Sequence, residues 1–443
     1  MSRPPNAGER PAPDGPRVPD GGPAPNGTPA SYGIPVLDGA PAPDGPPAPD
    51  NTHVPYDTRL PDGTRVPDST PAPDVDVVCL GESMVTFLPR HPGRLAEVPS
   101  FDRAIGGAES NVACTLARAG HTARWISRVG ADGFGDHLVT AIAGCGVDVS
   151  LVRRDPRRPT GVYFRTAGDR ATGAHEVAYY RAGSAASAMS VGTVPAAAAD
   201  SGRVLHLSGI SAALSADCLG LLRALTARRA GRPLVSFDVN HRPGLWDDAA
   251  DTRVLLDLAR GADLVFVGED EAADAWGLTG GPDAVRAALP EPATLVVKRG
   301  AAGAVAYDRH GGRHAEPAPR VGVVAAPGAG DAFAAGFLAA TLRDLPVPTR
   351  LRYGHLWAAA VLTVPGDLAE PPSRAHADRL AALGPAAWGT LRLGPGWTKS
   401  TAADERAVEE AHAVHDAGPP RGEPTTQRRA PDEDRAERSE APA

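Results

Sequence analysis

The chain has 443 residues, more than one average domain needs, and its formal net charge of −8 comes without a concentrated basic segment. This balance argues against a nucleic-acid partner, and no apolar run is long enough to span a membrane. Four cysteines, at positions 79, 114, 145 and 218, are scattered without a Cys-x-x-Cys pair. We therefore expect buried thiols in a reducing cytoplasm rather than a zinc site or a disulfide framework.

The two ends of the chain differ in composition from its middle. Residues 1–74 are a Pro/Asp/Gly/Ala tract in which the turn signal Pro-Asp-Gly recurs. Such a segment buries too little apolar surface to offset the entropy lost on ordering, so we predict a disordered tail. A second disordered tail is predicted over 398–443, where the chain is again polar and charged. Residues 75–397 remain as one folded domain with a large core.

Within that domain, apolar β-rich runs alternate with Ala/Leu/Arg-rich helical stretches. Strands are predicted at residues 75–80, 123–129, 204–208, 234–238, 264–267, 294–298 and 304–308. Helices are predicted at residues 111–119, 134–144, 217–229, 252–260, 332–343 and 351–361. Continuously apolar strands indicate burial on both faces, so the alternation predicts a doubly wound α/β fold with a mostly parallel sheet flanked by helices. Ligands bind at the carboxyl ends of the strands in such sheets.

One region breaks the alternation. Residues 160–166 and 176–181 are short aromatic runs with Gly/Asp turn residues between them. We predict that they form antiparallel strands outside the main sheet, with further strands of this small sheet near residues 85–104.

A glycine turn at residues 327–338 carries the clearest chemistry. Gly328 and Gly330 allow a sharp bend directly before a helix, where main-chain N–H groups and the helix dipole favour an anion. Asp331 lies at the opening of this anion hole. A bound anion would repel its carboxylate, so an aspartate at this position indicates a functional role. The expected task is to take a proton from an incoming hydroxyl while N–H groups of the turn, including that of Ala329, stabilise a transferring phosphoryl group. An ordinary helix cap is the alternative.

This turn resembles the second signature of the ribokinase-like (PfkB) carbohydrate kinases, in which Gly-Ala-Gly-Asp carries the catalytic base. Three other segments resemble the same family in the same order. They are the first strand with its Gly-Glu turn at 77–84, the first signature at 106–113, and the nucleotide-binding turn at 297–304. The resemblance covers about residues 75–375. It implies transfer of phosphate from ATP with Mg²⁺ to a primary hydroxyl of a sugar, and a β lid over the sugar that often serves as a dimer clasp.

Within the family, three segments most resemble 2-keto-3-deoxygluconate kinases: residues 106–111, 177–185 and 237–246. The last of these also resembles fructokinases and a 5-dehydro-2-deoxygluconate kinase. We therefore expect a kinase for 2-keto-3-deoxygluconate, with a fructokinase-like, ribokinase-like or 5-dehydro-2-deoxygluconate kinase activity as alternatives. A non-catalytic sugar-binding paralogue is a further alternative.

The resemblance assigns sugar binding to the loop before the first helix, to the lid and to the end of the strand at 234–238. The expected residues are Gly107, Asn111, Tyr163, Tyr179, Arg181, Asn240, Arg242 and Asp331. Alternate residues of a strand share a face, so Tyr179 and Arg181 should lie side by side. Arg181 would hold the carboxylate of a sugar acid, and Arg242 would hold that carboxylate or a phosphate. For Gly107 and Asn111 the alternative is a glycine turn with an asparagine cap. For the lid tyrosines it is packing of the lid onto the body, and for Arg242 it is a surface salt bridge.

The nucleotide is expected against Lys298, Gly300, Gly303, Gly328 and Gly330. For Lys298, a lysine that only faces solvent at the end of a strand is the alternative. Glu271 matches the glutamate that organises magnesium in relatives, usually through water; an exposed acid at a helix start is the alternative. Three positions depart from the family. Residues 325–327 lack an aspartate that often helps hold a monovalent cation, which puts potassium activation in doubt. Gly268 replaces an asparagine of the magnesium motif, and His355 stands where relatives often have asparagine beside the adenine.

Overall fold

The computed structural model describes residues 74–166, 176–246 and 252–399; both predicted tails fall almost wholly outside these residues. The strands are β1 Val75–Leu80, β2 Met84–Pro89, β3 Phe101–Gly106, β4 Ala123–Ile126, β5 Arg128–Gly130, β6 Arg153–Asp155, β7 Val162–Arg165, β8 Val177–Tyr180, β9 Gly202–Ser208, β10 Leu234–Asp238, β11 Leu264–Gly268, β12 Thr294–Lys298, β13 Ala304–Tyr307, β14 Arg313–Glu316, β15 Arg320–Val321 and β16 Arg392–Leu393. The helices are α1 Ala108–Arg118, α2 Gly133–Ala143, α3 Ala196–Ala199, α4 Gly209–Ala212, α5 Ala216–Thr226, α6 Arg253–Gly261, α7 Glu269–Trp276, α8 Gly281–Ala288, α9 Ala329–Leu342, α10 Val347–Leu362, α11 Arg374–Ala381 and α12 Pro385–Thr390. None of these helices is long and apolar enough to cross a membrane.

The central sheet of the described residues has eight strands in the order β14-β13-β12-β11-β10-β9-β1-β4. Strands β4, β1, β9, β10, β11 and β12 run parallel, while β13 and β14 form an antiparallel edge. Every residue of β11 is buried, as its unbroken apolar run requires. The predicted mostly parallel α/β fold is confirmed. The carboxyl ends of β10, β11 and β12 therefore lie next to one another along a single edge.

Helices cover both faces of the sheet, each over its own apolar layer. On one face, Phe333, Phe337 and Leu356 of α9 and α10 pack into the core. On the other face, Leu222 of α5 and Leu258 of α6 do the same. This two-sided packing makes the sheet doubly wound, as the alternation of strands and helices predicts.

The single strand predicted at residues 123–129 is wrong. The chain forms β4, which belongs to the central sheet, and then β5, which leaves that sheet to pair with β6. An ion pair of 2.9 Å between Arg128 of β5 and Asp155 of β6 holds the small sheet together. Ser127 and Arg128 interrupt the apolar residues at the break between the two strands, and this polar pair is the local sign of it.

The predicted extra sheet is present. Strands β3, β2, β7 and β8 form a separate four-stranded sheet in that order, which we call the lid, and β7 and β8 pair antiparallel. Phe87 of β2 stacks on Phe164 of β7 with ring centroids 4.5 Å apart, and meets Phe134 of α2 edge-on at 5.8 Å. Some lid aromatics thus fasten the lid to the body, as the packing alternative proposes.

Candidate active site

The predicted anion hole lies where α9 begins. Gly328 has a left-handed φ of 80°, and a Cβ atom there would lie 2.3 Å from the main-chain oxygen of Asp367. Both the conformation and the close approach require glycine. Gly330 is exposed, and a Cβ atom there would meet nothing nearer than Nζ of Lys298, at 3.6 Å. Among the described residues, the N–H groups of Gly330 and Asp331 have no hydrogen-bond partner, which leaves them available to an anion.

Asp331 stands in the first turn of α9 and is partly buried. Nδ2 of Asn111 donates a hydrogen bond to Oδ2 of Asp331 at 2.8 Å. Burial raises the pKa of Asp331 to about 7 and the charge of Asp238 adds to this rise, whereas the Asn111 hydrogen bond, Arg242 and Lys298 lower it. A carboxylate that is half-protonated near neutral pH is well matched to proton transfer.

Asn111 is placed by a tight loop at the start of α1. Gly107 is the first residue before this helix, and a Cβ atom there would lie 2.5 Å from the main-chain oxygen of Glu82. Only glycine lets the loop approach the Glu82 turn so closely. Asn111 is buried, and its Oδ1 has no partner among the described residues. An unpaired buried carbonyl is costly, so this oxygen is available to a ligand hydroxyl.

Lys298 ends β12 and forms an ion pair with Asp238, which ends β10. Nζ of Lys298 lies 3.0 Å from both carboxylate oxygens of Asp238. Burial opposes the charged form of Lys298, but Asp238 and Glu271 together keep its pKa above the usual value. Asp238 was not among the residues predicted from sequence, although a charged residue at the end of a buried strand marks it. Its carboxylate balances the Lys298 charge and raises the pKa of Asp331.

Asn240 and Arg242 follow β10 at the same edge of the sheet. Asn240 is buried in a left-handed conformation with φ of 42°, and its Oδ1 has no partner among the described residues. Asparagine tolerates this left-handed conformation better than most residues other than glycine, so the turn after β10 is consistent with its sequence. Nη1 of Arg242 lies 3.4 Å from Oε1 of Glu271, and the Arg242 side chain is half-exposed. Arg242 is therefore paired, as the salt-bridge alternative proposes, yet its other face is open to a ligand.

Glu271 stands in the first turn of α7. Its Oε2 accepts a hydrogen bond from the N–H of Gly268 at 2.7 Å. No group of three or more His, Cys, Asp or Glu side chains within the described ranges can hold a metal. Mg²⁺, however, keeps several waters and takes one or two carboxylates together with substrate phosphates. Asp238, which pairs with Lys298, and Glu271, whose negative charge also raises the pKa of Lys298, fit that pattern through water.

The lid residues lie together, but Arg181 has a partner that the sequence did not reveal. Tyr163 and Tyr179 face each other across β7 and β8 with ring centroids 5.4 Å apart. The guanidinium of Arg181 lies 5.8 Å from the centroid of the Tyr179 ring, which confirms that the two share a face. Nη2 of Arg181 contacts the buried carboxylate of Glu82. Arg181 is therefore not a free cation, and a substrate carboxylate would share it with Glu82.

The predicted nucleotide turn connects β12 and β13. Gly300 and Gly303 have φ values of 53° and 104°, and a Cβ atom on Gly303 would lie 2.2 Å from the main-chain oxygen of Glu316. His355 of α10 is buried with its Nε2 3.2 Å from that same oxygen, and burial lowers the pKa of His355 to about 4. His355 is thus neutral at physiological pH. Among the described residues, no hydrogen bond joins Gly300 or Gly303 to Asp331.

The departure at residues 325–327 leaves no side-chain oxygen in that segment. The neighbouring loop at residues 363–367 contributes one carboxylate, Asp367, which is already engaged. Nη2 of Arg165 lies 2.7 Å from its Oδ1, and the hydroxyl of Tyr163 donates to its Oδ2 at 3.0 Å. Residues 325–327 and the engaged Asp367 carboxylate thus offer no free side-chain oxygen to a monovalent cation.

Comparisons with known proteins identify the family of this chain. The model of the pfkB family carbohydrate kinases matches residues 74–374. A 2-dehydro-3-deoxygluconokinase of Thermoproteus tenax is 34% identical over 309 residues, which cover 69% of this chain and 94% of that protein. A probable chloroplastic fructokinase, fructokinase-6, of Arabidopsis thaliana is 32% identical over 297 residues, 64% of this chain and 75% of that protein.

A solved structure also resembles this chain. The PfkB protein from Polaromonas sp. JS666 is 36% identical, with a TM-score of 0.61, and the match covers 70% of this chain and 100% of that one. The family match runs through the central sheet, the lid and both glycine loops. It establishes that this chain belongs to the pfkB family of carbohydrate kinases, phosphotransferases that act on a sugar hydroxyl.

Proposed function

We propose that this kinase transfers the γ-phosphoryl group of ATP to a primary hydroxyl of 2-keto-3-deoxygluconate, with Asp331 as the general base. One observation carries the proposal. The carboxylate of Asp331, with a pKa of about 7, stands beside the unpartnered N–H groups at the start of α9 and is oriented by Asn111 at 2.8 Å. A base and an anion hole side by side are what phosphoryl transfer to an alcohol needs.

The proposed reaction is an in-line displacement. Asp331 accepts the proton of the sugar hydroxyl, whose oxygen forms a bond to the γ-phosphorus as the bond from that phosphorus to the bridging oxygen of ADP breaks. The N–H groups at residues 328–331 hold the charge that spreads over the transferring group. Asp331 then loses its proton to water. Its pKa near neutrality supports both steps at physiological pH.

ATP is proposed to lie along Lys298, Gly300 and Gly303, with its phosphates reaching Gly328 and Gly330. The exposed backbone at Gly330 and Nζ of Lys298 close by support this placement. ATP and magnesium are typical of the family. Glu271, through water, and Asp238 would hold Mg²⁺, which when bound supplies positive charge to the phosphates.

The sugar is proposed to lie between Gly107, Asn111 and Asn240 on the body and Tyr163 and Tyr179 on the lid. The unpaired Oδ1 atoms of Asn111 and Asn240 support this position, because each can accept a hydrogen bond from a hydroxyl. Arg181 and Arg242 would bind the carboxylate of the sugar acid. The relative from Thermoproteus tenax carries the name of the same activity, as 2-dehydro and 2-keto denote the same group.

A neutral sugar is the second candidate. The Arabidopsis thaliana relative is named a probable fructokinase, and the pairing of Arg181 with Glu82 reduces the free positive charge under the lid. A 5-dehydro-2-deoxygluconate kinase, a ribokinase-like enzyme and a non-catalytic sugar-binding paralogue are the remaining alternatives.

The test is ADP release from Mg-ATP with a panel of five acceptors: 2-keto-3-deoxygluconate, fructose, ribose, 5-dehydro-2-deoxygluconate and adenosine. We expect the highest kcat/KM with 2-keto-3-deoxygluconate. Arg242→Met should raise KM for that acid about tenfold or more, as expected when a charge-assisted contact is lost. Arg309→Met, which changes an exposed arginine of the β13–β14 turn, is the matched control. Preference for fructose with an unaffected Arg242→Met variant would instead support the fructokinase-like alternative.

Two further parts of the proposal concern the setting of the enzyme. The described cysteines are all free thiols, which supports a reducing cytoplasm.

Strand β8 lies at an edge of the described lid with Tyr179 and Tyr180 exposed, which supports a homodimer formed through the lid. Light scattering of the purified chain and of Tyr180→Ser tests the dimer: a monomeric wild type would contradict it.

A further inference from the structure

Asp367 links the lid to the catalytic body. Its carboxylate receives the Tyr163 hydroxyl at 3.0 Å and lies 2.7 Å from the guanidinium of Arg165, and both lid residues are on β7. The side chains of Asp367 and Arg165 are only 8% and 10% exposed. The link is therefore shielded from water, where a charged pair is held far more firmly than at the surface.

The main chain of the same residue touches the anion hole. A Cβ atom on Gly328 would lie 2.3 Å from the carbonyl oxygen of Asp367 and 2.9 Å from its Cα. Gly366, with a left-handed φ of 96°, turns the loop so that Asp367 is presented at this point. A shift of the Asp367 main chain toward Gly328 therefore has no free space to enter and must move Gly328 as well.

The carboxylate also reaches the loop assigned to the sugar. A Cβ atom on Gly106, which precedes Gly107, would lie 3.1 Å from Oδ2 of Asp367 and 2.1 Å from the Tyr163 hydroxyl. One residue thus adjoins the lid, the sugar loop and the anion hole. A buried ion pair is a poor source of net stability, because desolvation offsets its attraction, so the arrangement is better explained by the orientation it imposes.

We propose that Asp367 is a positioning residue that couples lid closure over the sugar to the alignment of the anion hole. The inference rests on the proposed placement of the sugar under the lid and of the phosphates at Gly328. Tyr163 and Arg165 hold the Asp367 carboxylate, and the main chain of Asp367 adjoins Gly328, so the lid position that a bound sugar favours is transmitted to Gly328. Sugar and nucleotide then favour each other's binding, and the anion hole is best aligned for transfer only when an acceptor is present.

The test measures this coupling without turnover. The dissociation constant of the non-hydrolysable analogue AMP-PNP with Mg²⁺ is measured by calorimetry with and without saturating 2-keto-3-deoxygluconate, or fructose if the acceptor panel selects it. The wild type should bind the analogue at least fivefold more tightly with sugar, within the usual range of coupling between two sites. Asp367→Asn and Arg165→Met should each reduce this factor to below twofold, and the double variant should lose no more than either single one.

A matched control and a milder variant make the test decisive. Asp102→Asn removes an exposed carboxylate of lid strand β3 that pairs with Arg90, and it should keep the wild-type coupling. Tyr163→Phe, which keeps the ring and removes one hydrogen bond to Asp367, should reduce the coupling partway. If Asp367→Asn does not fold, Tyr163→Phe carries the test.

Catalysis supplies a second readout. Asp367→Asn should lower kcat about tenfold, raise KM for ATP several-fold at saturating sugar because the coupling is lost, and raise the ratio of sugar-independent ATP hydrolysis to sugar phosphorylation. Coupling that survives in Asp367→Asn, is lost equally in Asp102→Asn, or is absent from a wild type that phosphorylates the sugar would overturn the inference. The proposed function is judged separately, by wild-type turnover in the acceptor panel.

Discussion

Nδ2 of Asn111 lies 2.8 Å from Oδ2 of Asp331, so one hydrogen bond joins the helix after the first glycine loop to the helix after the second. The bond spans 220 positions of sequence and links the residue proposed to contact the sugar to the proposed base. It favours the ionised carboxylate against the burial that opposes it. The hydroxyl to be activated and the base that activates it are thereby held in one geometry.

The first prediction concerns pH and Asn111. A general base works when deprotonated, so wild-type kcat/KM should fall as the pH drops through the Asp331 pKa of about 7. Asn111→Ala removes the bond that lowers this pKa, and the acid limb should move upward by about one pH unit. A pH–rate profile of both proteins measures the shift. A limb that stays in place would show that another group sets it.

The second prediction is a shift of the acid limb of kcat/KM in the opposite direction, toward lower pH. The charge of Asp238 raises the pKa of Asp331, and Lys298, its partner, lowers it. Asp238→Asn should therefore move the acid limb of kcat/KM to lower pH. It also removes the ion-pair partner of the largely buried Lys298, which should reduce the free energy of unfolding by on the order of 3 kcal/mol.

Two further variants separate the electrostatic effect from the loss of stability. The double variant Asp238→Asn/Lys298→Met should recover much of that free energy in a urea titration, because no buried charge is left unpaired. Asp257→Asn, which breaks an exposed pair with Arg260, should change neither stability nor the pH profile. An Asp238→Asn limb that moves upward would contradict the assigned charge interaction.

The third prediction contrasts two neighbouring glycines. Gly328→Ala places a methyl group against the Asp367 carbonyl in a left-handed conformation, which costs about 1–2 kcal/mol before any clash. Gly330→Ala stands in an open helical turn and should be neutral or slightly stabilising, by up to about 1 kcal/mol. Its methyl group, however, narrows the phosphate cradle, so KM for ATP should rise about tenfold. Thermal melts measure the stability of both variants, and ATP titrations measure their KM for ATP. Equal melting temperatures of the two variants would contradict the prediction.

The fourth prediction concerns monovalent cations. Residues 325–327 offer no side-chain oxygen, and the Asp367 carboxylate is occupied by Arg165 and Tyr163. Kinase activity should therefore be the same, within about twofold, in KCl, NaCl and choline chloride at equal ionic strength, which keeps screening constant. Activation by potassium alone would contradict this account of the loop.

The bounds of several strands could be predicted from the sequence alone. Strands β1, β10 and β12 have the bounds that their mainly apolar sequences predict, because a strand buried on both faces is largely apolar. The glycine loop before Asp331 is predictable for a related reason, since a left-handed turn is a local property of Gly328.

The interaction partners of the site residues could not be predicted from the sequence. Lys298 pairs with Asp238 at a separation of 60 residues, and Tyr163 donates to Asp367 at a separation of 204. Glu82, which contacts Arg181, ends the Gly-Glu turn after β1 and gives no local sign of the charge it meets. Such pairs are created by the topology of the sheet and lid, so residue patterns within one segment do not contain them.

The central claim is that Asp331 is the base for phosphoryl transfer, and its most direct test is the kcat of Asp331→Asn. ADP release from Mg-ATP is measured with the preferred sugar for the wild type, Asp331→Asn and Asp217→Asn, which changes an exposed acid in the first turn of α5. We predict that Asp331→Asn loses about 10²–10⁴-fold in kcat and still binds ATP, while Asp217→Asn matches the wild type. An Asp331→Asn enzyme that keeps wild-type kcat would contradict the account.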